Sequence, residues 1–238
     1  MLATTDSAIQ PSLEQLEQQQ LIWRGSQASG PVTVSTSGWP ELDRQLGGGL
    51  PASGIVSVQS RLGIGELRLF MPFWRRAERL LVFIGVPYPL NAESLQGADL
   101  DLSRVLVLTP KTEKEALWAA EQCLKSGACQ SVALWQSRLT LAQARRLQLA
   151  AREGKCTQFL FLGPDAHAEG LPVDLALALS PHPSGIAVQV PKRKQGWALP
   201  RFTLDMAELW PELTDTTVRG LGSASLTKQQ SDKNAEAS

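Results

Sequence analysis

Apolar residues fall along this chain in short unbroken runs, separated by segments in which they recur at helical spacing. The runs are Gly54-Ile55-Val56-Ser57-Val58, Leu80-Leu81-Val82-Phe83-Ile84-Gly85-Val86, Arg104-Val105-Leu106-Val107-Leu108-Thr109-Pro110, Gln130-Ser131-Val132-Ala133-Leu134-Trp135 and Thr157-Gln158-Phe159-Leu160-Phe161-Leu162. Runs of this length without polar alternation are what strands of a parallel sheet show when both faces are covered. Between them the spacing predicts helices. One runs from Glu66 to Arg79, with Pro72 placed to kink or shorten it. A second opens on Thr112 with Glu115 three residues on, carries Leu117, Ala120 and Leu124 on one face and stops at Ser126-Gly127. A third repeats the capping-box spacing with Thr140 and Gln143 and continues through Leu147, Leu149 and Ala150 to Glu153-Gly154.

Strand and helix alternating in this way, joined by right-handed crossovers, give a doubly wound sheet. The pattern changes after Gly163. Val173 to Leu179, Gly185 to Pro191 and Arg201 to Asp205 follow one another without helices between them, and Gly196 supplies a hairpin glycine. The expected fold is therefore α/β, a mostly parallel sheet flanked by helices, with antiparallel strands at one edge.

The two ends differ from the middle. Pro11 to Ile22 is rich in Gln and Glu, with Leu13, Leu16 and Leu21 at loosely helical spacing, and predicts a short helix with one apolar edge. From Thr214 onward there is no aromatic residue, and such a composition buries too little apolar surface to offset its ordering entropy. The organisation expected is an N-terminal helical segment over residues 1–24, a core domain over 25–213 and a disordered tail over 214–238.

Composition narrows the function more by exclusion than by signal. Lys+Arg and Asp+Glu stand at 23 each, so no overall field draws the chain to nucleic acid or an anionic membrane. The three cysteines, Cys123, Cys129 and Cys156, lack a CxxC spacing and are expected as buried free thiols in a reducing cytosol. No apolar run approaches ~18 residues and Met1 to Asp6 has no signal-peptide character, which sets the expectation of a cytoplasmic protein. His167 and His182 are the only histidines, no GxSxG elbow is present, and hydrolase chemistry has no candidate constellation.

One stretch has the outline of a phosphate-binding loop. Gly54 to Gln59 reads as a strand, Ser60-Arg61-Leu62-Gly63-Ile64-Gly65 as a glycine loop, and Glu66 as the start of a helix. In the working form, GxxxxGK[ST], glycines bring N–H groups onto the phosphates, a lysine reaches the terminal ones and a hydroxyl holds magnesium. Here Ser60 takes the place of the first glycine and Gly65 that of the second, while Glu66 replaces the lysine and Leu67 the hydroxyl residue. A carboxylate there would repel phosphate charge by a few kcal/mol at an effective dielectric of about 20. The expectation is a loop without nucleotide, with no cofactor and no enzymatic turnover.

The approach to this loop, Ser37-Gly38-Trp39-Pro40-Glu41-Leu42-Asp43 through Gly47-Gly48-Gly49-Leu50-Pro51 to Gly54-Ile55-Val56, resembles the lead-in of RecA-family ATPases, TG…LD…L-GG-GLP-G-IV. With Gly63 to Leu69, Leu117 to Cys129 and Arg145 to Gly154, the likeness narrows to the ImuA/SulA family of RecA-like proteins, over roughly residues 20 to 210. The resemblance implies a RecA-like core. It further implies an accessory role in SOS-induced translesion DNA synthesis and mutagenesis, with an ImuB-like polymerase homologue, RecA and an error-prone DNA polymerase as partners. The alternative within the family is a SulA-like inhibitor of cell division that binds FtsZ. In RecA-like ATPases a catalytic carboxylate ends the second strand of the core and a magnesium-positioning aspartate ends a later one; here prolines follow the former, with Glu93 the nearest acid, and Trp135-Gln136-Ser137 follow the latter.

Two sets of candidate contact residues remain. Lys192, Arg193 and Lys194 form the densest positive cluster, and with Trp197 they suit a phosphate backbone or an acidic partner, unless they only guard a sheet edge. Arg145 and Arg146, with Arg138 and Arg152, place a basic face on the third helix, a pattern usually solvated and paired with acids. For protein partners the candidates are Leu13, Leu16, Leu21, Ile22 and Trp23 near one end and Trp210 near the other.

Overall fold

A computed structural model of the chain describes residues 33–166, 170–194 and 196–211. The predicted N-terminal helix, with Leu13, Leu16, Leu21, Ile22 and Trp23, the tail over 214–238, and His167 lie outside the described residues.

A two-residue strand, β1 (Val34–Ser35), pairs antiparallel with β2 (Leu50–Pro51), and helix α1 (Pro40–Leu46) lies between them in sequence. Strand β3 (Gly54–Gln59) leads into α2 (Glu66–Trp74), then β4 (Leu80–Ile84) and the short α3 (Ala92–Gly97). A 3-10 turn (Leu102–Arg104) precedes β5 (Val105–Leu108), followed by α4 (Glu113–Lys125), β6 (Cys129–Trp135), α5 (Leu141–Glu153) and β7 (Thr157–Leu162). Three further strands close the fold, β8 (Leu175–His182), β9 (Gly185–Arg193) and β10 (Leu199–Asp205). They complete an eight-stranded sheet of order β10-β9-β8-β3-β7-β6-β4-β5. From β8 to β5 every pairing is parallel, and β8-β9-β10 is an antiparallel meander, as the loss of intervening helices after Gly163 predicts.

Strand alternation divides the core in two. In β4, Leu81 and Phe83 face one side and Val82 and Ile84 the other. The first side is aromatic, with Phe70 and Trp74 of α2 set against Phe159 of β7 at ring-centroid distances of 4.7 and 5.3 Å. The second is aliphatic, where small residues let α4 (Ala116, Ala120) and α5 (Ala144, Ala150, Ala151) lie close to the strands. Both helices start on complete capping boxes, with Glu115 N–H bonding Thr112 Oγ1 at 3.2 Å and Gln143 N–H bonding Thr140 Oγ1 at 3.3 Å. The helix expected over Glu66 to Arg79 is shorter, ending at Trp74. Pro72 supplies no N–H to the carbonyl one turn back, and the ladder stops two residues beyond it.

The glycine-rich lead-in has a mechanical explanation. The Asp43 carboxylate accepts from Ser37 N–H at 2.8 Å, from Ser37 Oγ–H at 2.5 Å and from the Thr36 hydroxyl, which folds the loop back on α1. Trp39 Nε1–H donates to the Leu69 carbonyl in α2 at 2.8 Å. Between them Gly38 has φ 88°, and a Cβ there would lie 2.4 Å from Pro72 Cβ. The lead-in fastens the helix that carries the phosphate-loop remnant.

Among the described residues no helix is long and apolar enough to cross a membrane.

Candidate functional site

The loop after β3 keeps the turn of a phosphate loop. Gly63 and Gly65 have φ 80° and 91°, the left-handed region that a side chain resists, and Gly65 stands at the N-cap of α2. Ser60, 5% exposed, holds the loop's first residue to the sheet through its N–H to the Leu162 carbonyl at 3.2 Å. The side chains that follow turn inward. Leu67 packs partly buried against the aromatic core, and Glu66, only 2% exposed, accepts a hydrogen bond from the Tyr88 hydroxyl at 2.8 Å. Tyr88 stands between Pro87 and Pro89, just beyond β4, where the chain leaves the sheet. Burial first, and then the hydrogen bond and charge of Glu66, raise the Tyr88 hydroxyl well above the ordinary tyrosine range. A carboxylate in the first turn of α2 also complements the positive end of the helix. The charge at the lysine position is thus opposite in sign to the one phosphate requires, and it is fixed in place.

The neighbouring strand ends are apolar. Trp135, the last residue of β6, stacks on Phe161 of β7 with ring centroids 4.4 Å apart and planes at 8°. Gln136 follows, 6% exposed, its N–H on the Phe161 carbonyl at 3.1 Å. With Ser60, Leu62, Pro87 and Leu139 these residues line a cleft of about 880 Å³ over the carboxyl ends of the parallel strands, the usual ligand position in open α/β sheets. Glu93 is exposed in the first turn of α3. Among the described residues no three His, Cys, Asp or Glu side chains gather as a metal-ligand group.

The basic hairpin is committed to its own domain. Lys192 Nζ donates to the Leu171 carbonyl at 2.7 Å. The Arg193 guanidinium donates to Trp197 O at 2.9 Å across the hairpin tip and to the Gln45 and Leu46 carbonyls at 3.2 and 3.4 Å, which closes the C-terminal end of α1. Lys194 lies 3.9 Å from Asp174. Three cations adjacent in sequence therefore reach three different internal acceptors, while Trp197, 89% exposed, faces outward. Arg146 pairs with Glu121, which Lys125 also engages at 2.7 Å, and the two cations hold the Glu121 carboxyl below its ordinary range, Lys125 foremost. Arg145 stays exposed. Trp210 packs half-buried on Trp39 at a centroid distance of 5.9 Å, so this candidate anchor is covered by its own domain.

Asp174 escaped the sequence reading because none of its partners is near it in sequence. It is 5% exposed, and its carboxylate takes the Ile55 N–H at 3.0 Å, Gln148 at 3.2 Å and Arg152 at 3.1 Å, joining β3 to α5. Gly54 makes room for it, since a Cβ there would stand 2.3 Å from Asp174 Oδ2. Cys129 and Cys156 are buried and Cys123 half-buried, all as free thiols. The Cys123 thiol, with Ser126 and Arg79 behind it, lowers Cys129, while burial pushes Cys156 up to about 12.

Sequence similarity sets the chain beside one group of known proteins. The chain is 28% identical over 140 residues to RecA of Clavibacter michiganensis, 56% of this chain and 39% of that protein. RecA of Saccharopolyspora erythraea is 30% identical over 138 residues, 54% of this chain and 40% of its own. This core is RecA-like. The chain spans about two fifths of the length of the curated relatives it matches. Among solved structures, that of SulA from Pseudomonas aeruginosa is 26% identical and aligns with 46% of this chain and 97% of its own, at a TM-score of 0.41. No protein-family model matches the chain.

Proposed function

We propose that this chain is a non-catalytic, RecA-like accessory protein of the DNA-damage response, of the ImuA kind, which works in the cytoplasm by presenting surfaces to other proteins. The observation that carries the proposal is the Glu66–Tyr88 hydrogen bond of 2.8 Å at the first turn of α2. A carboxylate buried and bonded at the lysine position opposes the charge of a triphosphate, and Leu67 in place of the hydroxyl residue offers magnesium no ligand. At the end of β6, Trp135 and Gln136 occupy the ground where a magnesium-positioning acid stands in RecA-like ATPases. The likeness to RecA supports the coarse assignment to RecA-related DNA-damage functions. Translesion synthesis, with an ImuB-like polymerase homologue, RecA and an error-prone polymerase as partners, is the finer reading.

Calorimetric titration with Mg-ATP tests the first half and is expected to be flat. A micromolar dissociation constant, about 8 kcal/mol of binding, would overturn it. Deletion of the gene tests the second, with loss of damage-induced mutagenesis expected. A division phenotype with mutagenesis unchanged would move the protein to the SulA-like, FtsZ-binding role.

A further inference from the structure

On the face of the sheet away from the aromatic core, α4 and α5 leave between them a groove of about 870 Å³. Leu117 and Trp118 of α4 line one wall, Leu139 and Leu147 the other. Trp118 is 64% exposed, off the stripe of Ala116, Ala120 and Leu124 that holds α4 to the sheet, so packing of its own domain does not account for it. Gln136 also lines the groove, 6% exposed.

The charges give the surface a sign. Of the two carboxylates on the groove wall, Glu121 is held by Lys125 and Arg146 and Glu113 by the Ser137 hydroxyl at 2.8 Å. Lys114 and Arg138, both on the lining, are exposed and have no carboxylate partner among the described residues. We infer that the groove between α4 and α5 is a docking site for an acidic peptide segment of a partner protein, with an apolar side chain seated beside Trp118 and carboxylates meeting Lys114 and Arg138. The Gln136 amide on the lining offers a peptide backbone both a donor and an acceptor. Nucleic acid fits less well, because the apolar side chains of Leu117, Trp118, Leu139 and Leu147 offer a sugar-phosphate backbone nothing.

The inference rests on the adaptor reading for the existence of a protein partner, and its test is separate from Mg-ATP binding. The full chain is titrated by fluorescence anisotropy against a labelled peptide of Leu, Phe and Glu, the same peptide with Lys in place of Glu, and an oligothymidylate. Saturable binding of the acidic peptide alone is expected, weakening with added salt. Trp118→Ala should weaken it by at least about tenfold, the scale of a buried aromatic anchor. Arg138→Ser with Lys114→Ser should weaken it and flatten its salt dependence. Unchanged urea midpoints confirm that these exposed substitutions leave the fold intact. No binding of the acidic peptide, equal binding of the basic one, displacement by oligothymidylate, or retention of affinity in Trp118→Ala would each overturn the site. Any of these alongside flat Mg-ATP calorimetry leaves the adaptor reading standing on another surface, whereas a nucleotide-binding chain would overturn that reading itself.

Discussion

Replacing Tyr88 by Phe removes one oxygen and leaves Glu66 buried without its donor. The Tyr88 to Glu66 contact, at 2.8 Å, is a hydrogen bond to a charged acceptor. Such bonds contribute about 1.5–3 kcal/mol, and the half-exposed ring of Tyr88 places this one at the lower end. With a urea slope of about 2–3 kcal/mol/M for a domain of this size, the midpoint should fall by roughly 0.5–0.75 M. The same bond predicts a pH signature. Tyr88 is raised in the folded chain, so its contribution is complete below the unfolded tyrosine pKa of about 10 and is lost as pH rises through the folded value. Stability should therefore decline above about pH 10 in the parent and decline less in Tyr88→Phe. The chain has 1 tyrosine, so the ultraviolet absorbance of tyrosinate reports this hydroxyl alone. Ionisation of native Tyr88 at the free-tyrosine value, or an alkaline profile and urea midpoint identical in both proteins, would refute the bond and release Glu66 to face the loop.

Two further substitutions test the scaffold. Asp174→Ala leaves the Ile55 N–H unsatisfied and takes the partner from the partly exposed Arg152, and should cost about 1–3 kcal/mol in urea denaturation; no measurable loss would show that the carboxylate is not acting as a buried partner. Arg193→Ala removes the donors that close the end of α1 and the hairpin tip, and should lower the thermal midpoint, whereas Lys194→Ala, whose ammonium is 3.9 Å from Asp174, should have a much smaller effect. Equal midpoints for the two variants would return Arg193 to the solvent-facing role that its sequence suggests.

The strands were legible because a buried parallel strand is a local property: Leu80 to Ile84 and Thr157 to Leu162 have nowhere else to put so many apolar side chains. The two capping boxes were legible for the same reason, donor and acceptor being three residues apart. The missed features are those made by distant segments meeting. Asp174 and Ile55 are 119 positions apart, and Tyr88 and Glu66 are 22 apart. Trp39 meets Trp210 only after the sheet has assembled. The basic run at Lys192 to Lys194 shows the same limit, since adjacency in sequence does not reveal that each long side chain reaches its own internal acceptor. Trp118 did carry a signal, since it stands one residue from Leu117 and therefore about a quarter-turn off the apolar stripe of its helix.

The lead-in from Ser37 to Asp43 fastens α2 through the Trp39 N–H and the Gly38 turn, and neither contact involves the residues that would handle a triphosphate. The stretch ahead of the loop therefore answers to a steric demand of its own, whatever the loop binds, since any side chain larger than hydrogen at Gly38 collides with Pro72. Recognition by that stretch sorts chains by their joinery and is silent on the chemistry of the loop.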